Sequence, residues 1–320
     1  MDRRVYHIER VDHEGRRCND CNNPVEPGDP DASECRYQSE IAKTRLEHYA
    51  DMIGYPYRYV YRFTEAEAAV LMDAAPSGYI TGRPCSTLAE ELAAVAQRLA
   101  TVVPFADSCP ESCRESCPES CPESYPDSPL DDSNCNMLIS HAEYPPHGWF
   151  MRMSGCSPKD GLPHYPVKSA VDAVSKLATS KRALIGLRNG DRLLYFAPYD
   201  PTWDESRELR VFVRRGRVTA ISQYVWSRRW LFWGLSDDEL QRAARDCVEY
   251  VESALTPVLD AIGTRDVTCD VYWQDDESFR IIELNSYGYW LGAGAALFHW
   301  IDDRDKLYGV TDCVYFRVHI

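Results

Sequence analysis

The chain of 320 residues has no apolar run approaching the roughly 20 residues of a membrane-spanning helix. Its opening stretch, MDRRVYHIERVDHEGRR, is charged and lacks the apolar segment of a secretory signal. These absences predict a cytoplasmic protein with reduced thiols and no membrane partner. Positive charge is also short. Lys and Arg number 35 against 50 Asp and Glu, for a net charge of −15. That balance argues against a nucleic-acid backbone as the main partner. The sequence holds no G-x-G-x-x-G after a strand and no G-x-x-x-x-G-K-[ST], so Rossmann and P-loop sites have no support. No Ser/His/Asp or Cys/His nucleophile arrangement stands out among the eight scattered histidines.

Cysteine is plentiful, but its pattern excludes a disulfide framework. The thirteen cysteines are odd in number and several sit in one repeat. Cys18 and Cys21 form a C-x-x-C with His13 and Cys35 nearby. A second C-x-x-C at ribbon spacing is missing, so an incidental thiol pair is expected rather than zinc.

Residues 1–34 are polar, with Pro24, Gly28 and Pro30 clustered, and read as an irregular N-terminal extension. Residues 35–106 follow as an N-terminal helical and strand part. Apolar spacing predicts a helix over 36–54, a strand over 57–63 and a helix over 87–102. Thr64 with Glu67 three residues on reads as a capping box opening a helix to about Ala75. Within 107–147 lies DSCPESCRESCPESCPESYPDSPLDDS, a four-residue repeat placing Cys109, Cys113, Cys117 and Cys121 at even spacing. Pro110, Pro118 and Pro122 deny it a helix, and it has almost nothing apolar to bury. A disordered acidic loop is expected there, rather than a soft-metal site.

Residues 148–320 read as the core. Strands are expected at 148–154 and 192–199, helices at 167–179 and from Asp237 to about Leu255. Residues 182–188 form a further apolar segment. A hairpin over 208–226 turns at Arg215 and Gly216, and 315–320 looks like a closing strand. The class is α+β with mixed, largely antiparallel sheets.

The most informative stretch is DVTCDVYWQDDESFRIIELN, residues 266–285. It reads as two strands joined by a polar turn over 274–278. Each strand carries a carboxylate unexpected in a buried strand, Asp270 and Glu283. Their midpoint falls in the turn, so hairpin pairing allows them to lie opposite each other. Side-chain alternation puts Glu283 and Asn285 on one face. Two carboxylates and an amide oxygen then converge. Like charges so placed repel unless a cation sits between them, and hard oxygen donors suit Mg²⁺. A surface hairpin with solvated acids is the competing reading.

Other residues fit a nucleotide or a plainer role. Arg152, on an apolar strand, suits a phosphate or an ion pair. Lys159 sits beside Asp160 in the following loop, which is also an ordinary turn sequence. Glu208 and Arg210 alternate on one strand face, as in a salt-bridge ladder. Residues 194–199 suit a linker between lobes whose backbone reads an adenine.

The order of these motifs resembles the cell-division-cycle-123 protein family, a branch of the ATP-grasp fold. The resemblance covers residues 85–320 and is firmest over 148–300. It rests on FMRMSGCSPKDG, ELRVFVRRGRVTAISQYVW, DVYWQDDESFRIIELNSYG and LFHW, in that order. It implies ATP and Mg²⁺ held between two lobes. Asp270, Glu283 and Asn285 fall on the family's metal positions. Arg152 falls on its phosphate-binding lysine, Lys159 in the loop that follows, and Glu208 and Arg210 on the Glu-x-Arg of its ATP cleft. Phe196, Ala197 and Tyr199 fall near its hinge. Arg152 stands where the family has lysine, Glu283 where it has aspartate, and Ser286 and Tyr287 where it has Pro-Phe. The implied function is that of an assembly chaperone for eukaryotic translation initiation factor 2, binding its gamma subunit. An ATP-dependent ligase and a nucleotide-free interaction scaffold are the alternatives.

Overall fold

The computed structural model describes residues 4–12, 34–105, 144–227, 231–289 and 293–319. His13, Cys18, Cys21 and the repeat over 107–133 lie outside the described residues. In chain order the strands are β1 (Val5–Val11), β2 (Tyr59–Arg62), β3 (Trp149–Met153), β4 (Leu193–Pro198), β5 (Glu208–Arg214), β6 (Arg217–Gln223), β7 (Val267–Trp273), β8 (Phe279–Ser286) and β9 (Cys313–His319). The helices are α1 (Glu34–Lys43), α2 (Glu65–Thr81), α3 (Ala89–Ala100), α4 (Ala170–Ala178), α5 (Lys181–Arg188), α6 (Asp237–Ile262) and α7 (Arg304–Leu307).

The chain forms two compact units, Met1–Tyr55 with Thr202–Ile320, and Pro56–Pro201. The expected boundary at residue 148 is not where they part. Strands β3 and β4 pair in one antiparallel sheet with β2, in the order β2-β4-β3. Residues 148–201 therefore belong with the segment that follows Tyr55. The stretch 194–199 is no linker either. It is the central strand of that sheet, and the chain changes unit at 201–202.

The first unit is built on a six-stranded sheet in the order β1-β9-β6-β5-β7-β8. β9 runs parallel to both its neighbours, and the other pairs are antiparallel. Strand β1 corrects the expectation of an irregular N-terminus. VYHIERV is too polar to announce a strand alone, and its partner β9 lies at the other end of the chain. Helix α6 covers one face of the sheet with Leu240, Ala244, Cys247, Val251, Leu255 and Val258. Ser236 and Glu239 close a capping box at its start, worth about 1 kcal/mol. The helix continues past the expected end near Leu255 because its apolar stripe continues through Pro257 to Ile262. Gly263, at φ 66°, ends it in the left-handed conformation. On the other face Phe298, Trp300 and Leu307 pack around Phe212.

In the second unit, Trp149, Met151, Met153, Leu194 and Phe196 form a buried sheet face under α2, α3 and α4. The Thr64 capping box opens α2 as expected. The helix passes Pro76 and stops at Gly82. Residues 182–188 prove helical, with Ser180 Oγ accepting from the Ala183 backbone N–H at 3.0 Å. Back in the first unit, the helix expected over 36–54 ends at Lys43. Arg45 is extended, which lets Leu46 and Tyr49 bury themselves. There the Tyr49 hydroxyl accepts from the Leu284 backbone N–H at 2.8 Å.

Candidate functional site

Register decides which side chains meet. In the β7–β8 ladder Asp270 is paired with Glu283 and Thr268 with Asn285. Beyond Asp270 the register slips by one, so Val271 faces Ile281, Tyr272 faces Arg280, and Ile282 is the extra residue of a bulge. On the other side of β7, Glu208 pairs with Tyr272, Arg210 with Asp270 and Phe212 with Thr268. Paired residues share a face. One sheet face therefore carries Glu208, Arg210, Asp270, Arg280, Glu283 and Asn285.

The row through Asp270 crosses the whole sheet. It reads Glu283, Asp270, Arg210, Ser222, Arg317 and Glu9, one residue from each strand. At its far end Arg317 binds both Glu9 and Asp303. At its near end Arg210 meets Asp270 through two parallel bonds, Nε to Oδ1 and Nη2 to Oδ2, each 2.8 Å. Arg210 Nη1 donates to the Gly294 carbonyl at 2.7 Å, and the Tyr224 ring lies 4.8 Å from the guanidinium. Asp270 is 2% exposed and Arg210 8%. Such a forked pair is the strong form of a carboxylate–arginine contact.

Asn285 Nδ2 donates to Asp270 Oδ2 at 3.3 Å and to Glu283 Oε1 at 3.4 Å. The three expected metal residues are thus in one cluster. Burial pushes the Asp270 carboxyl up. Arg210 opposes this, and Glu283 adds to it as a second negative charge. Two carboxylates set side by side repel each other, which a cation between them would relieve.

The donor set fits a hard divalent ion, since every donor is an oxygen once the Asn285 amide turns its carbonyl inward. Among the described residues no three His, Cys, Asp or Glu side chains gather as a metal site. A Mg²⁺ ion would therefore be held by Asp270, Glu283 and the Asn285 amide, and would supply positive charge to bound phosphate. Arg210 modifies the expectation from the sequence, because the protein already places one cation of its own against Asp270.

Glu208 and Arg210 do share a face, but they do not form a ladder with each other. Arg210 pairs with Asp270, and Glu208 Oε1 accepts from Trp203 Nε1 at 2.7 Å.

The remaining expected residues lie in the second unit. Arg152 is buried on β3, and its Nε donates to the Met153 carbonyl at 3.4 Å. Lys159 is exposed in the loop after β3. Its neighbour Asp160 accepts from Ser180 Oγ at 2.5 Å and from the Arg182 backbone N–H at 3.2 Å. Phe196 is fully buried in the core, and its carbonyl accepts from the Arg58 backbone N–H at 2.9 Å. Ala197 is buried opposite Phe150. The Tyr199 backbone N–H donates to the Gly148 carbonyl at 2.9 Å. The sheet thus already uses the carbonyl of Phe196 and the N–H of Tyr199.

Residues 199–317 match the family model D123. The matched stretch includes the acidic hairpin, the β5–β6 hairpin and the segment that covers Phe212. C-terminally truncated Cdc123 from Schizosaccharomyces pombe is similar with a TM-score of 0.56 and 13% identity, over 88% of this chain and 98% of that one. A second structure of Cdc123 from the same organism gives 0.52 and 15%, over 88% and 97%. The D-alanine-D-alanine ligase from Coxiella burnetii overlaps 52% of this chain and 44% of its own at a TM-score of 0.27 and 10% identity. No curated protein matches the chain. The likeness to the Cdc123 structures is one of fold. The α+β class expected from the sequence agrees with it.

Two residues of the site escape the sequence reading. Thr268 is fully buried on the Asp270 face, and its hydroxyl has no hydrogen-bond partner among the described residues. Arg280 stands opposite Tyr272, and counting alternate residues back from Glu283 assigns it to the wrong face. The bulge at Ile282 returns it to the Asp270 face. Only an orphan arginine between apolar neighbours signals it in the sequence.

Proposed function

We propose that this chain is a D123-family protein that binds Mg·ATP on the Asp270 face and acts as an assembly chaperone for translation initiation factor 2, through its gamma subunit, in the cytoplasm. The observation that carries the nucleotide part is the register that sets Asp270, Glu283 and Asn285 together beside Arg210. Arg152 and Lys159 as phosphate contacts, and residues 196–199 as the adenine contact, rest on the family resemblance alone. The gamma subunit as partner rests on it too. Bound ATP orders the protein for its partner and need not react.

Isothermal titration of ATP with and without Mg²⁺ tests the nucleotide part. Binding that requires Mg²⁺ supports it. Capture of the gamma subunit from a mixture of purified factor subunits tests the partner.

The Arg210–Asp270 pair favours a second reading. Both oxygens of Asp270 are already satisfied by a buried arginine, which suits an interaction scaffold that works without nucleotide. Capture of the gamma subunit together with no heat of ATP binding would select that reading.

A further inference from the structure

Among the described residues Arg280 is a cation without a counter-charge. Its guanidinium lies 5.3 Å from the centre of the Trp203 ring and 5.9 Å from that of Tyr272. Trp203 and Tyr272 are themselves stacked, with ring centres 4.1 Å apart. Arg280 forms no hydrogen bond or ion pair among the described residues, and its Nε–H is buried without an acceptor. Burying a charged donor with no acceptor is costly. The two aromatic faces compensate in part, and they also fix the direction of the guanidinium.

The position adds chemical meaning. Arg280 is the next residue along the Asp270 face from Glu283, about 7 Å away by the rise of two strand positions. Thr268, on the same face beyond Asp270, leaves a second buried donor unmet. One face thus holds a hard-cation donor set with an unmet guanidinium beside it. A magnesium-bound polyphosphate supplies a cation for the first and anionic oxygens for the second.

We infer that Arg280, held over Trp203 and Tyr272, binds a phosphate oxygen of the ligand whose metal sits at Asp270, Glu283 and Asn285. This rests on the Mg·ATP reading for the identity of the ligand but not for its charge. Arginine rather than lysine is required here, because the stacked, planar fork carries the direction.

The test is isothermal titration of Mg·ATP, Mg·AMP and Mg·tripolyphosphate into the full chain, as wild type, Arg280→Gln and Arg280→Lys. In Arg280→Gln we expect ATP and tripolyphosphate to bind at least about tenfold more weakly, with a smaller loss for AMP. Arg280→Lys should fall between the two. Unchanged ATP affinity in Arg280→Gln, or equal losses for ATP and AMP, overturns the inference while leaving Mg·ATP binding intact. Tripolyphosphate that binds wild type and is lost in Arg280→Gln, with no ATP binding, supports Arg280 and overturns the nucleotide reading. If wild type binds neither, both fall. Should Arg280→Gln fail to unfold cooperatively, Arg280→Lys decides, and affinity equal to wild type for both polyphosphates refutes the inference.

Discussion

Asp270 does two jobs that substitution can separate. It balances the buried Arg210, and it belongs to the candidate metal set. Asp270→Ala should abolish Mg²⁺-dependent ATP binding and also cost about 3–5 kcal/mol of stability, because it strands a buried guanidinium. Urea unfolding measures the second effect. Glu283→Gln leaves the Arg210 pair untouched. It should weaken Mg²⁺-dependent ATP binding at least about tenfold in titration while shifting stability by less than about 1 kcal/mol. Equal stability losses in the two variants would mean that the face is only a folded charge network. The acidic pair and Asn285 are legible in the sequence because a hairpin couples residues about its turn. Arg210 as the partner of Asp270 is not legible, since it comes from a strand 60 residues away.

At the level of elements, close packing sets limits that composition hides. Gly78 of α2 faces the end of α4 so closely that an added Cβ would lie 1.9 Å from the Ala178 carbonyl oxygen. Backbone cannot give way as a flexible side chain does. Gly78→Ala should therefore destabilise the second unit by about 1–3 kcal/mol or more, measured as a fall in the unfolding midpoint. Capping boxes at Thr64 and Ser236 are local and easily read. The bulge at Ile282 is not. Nothing in FRIIELN marks one residue as extra, so the faces of Arg280 and Glu283 are decided only when the strands pair.

Over the whole molecule, the two units should answer pH in different windows, each gaining stability as pH rises. In the second unit Lys176 is fully buried, and its Nζ donates to the Gly161 carbonyl at 2.9 Å and the Pro163 carbonyl at 2.8 Å. Burial pulls its pKa down to about 8, against a partial opposing effect of Asp160. The unfolded chain keeps this proton to about pH 10.4, so between about 8 and 10 the unfolded state binds more protons and stability rises with pH. Unfolding midpoints at pH 7.5 and 9.5 should show the rise in wild type and its absence in Lys176→Met. In the first unit, burial tends to raise Glu9 and Asp303. Lys306 and Arg317 around Glu9, and chiefly Arg317 at Asp303, outweigh it and hold both carboxyls below their ordinary values. Their contribution is complete above the unfolded pKa values and is lost as pH falls through the lower folded ones. Acid should therefore loosen β1 first. The protection of Val5–Val11 against hydrogen exchange should fall as pH drops below the ordinary carboxylate range, and in Glu9→Gln that loss of protection should already be present at pH 7.

The sequence by itself determined the local content of this protein. Apolar spacing, caps and turn residues act over a few positions, and they suffice for most helices, the hairpins and the acidic pair with Asn285. Tertiary structure alone decided what depends on distant partners. The N-terminal strand exists because β9 offers it an edge, residues 148–201 fall with the smaller sheet because β4 sits between β2 and β3, and Asp270 has a cation because β5 runs beside β7. Pairing across long loops leaves no periodic trace in either partner, so the physical reason lies in register rather than in composition.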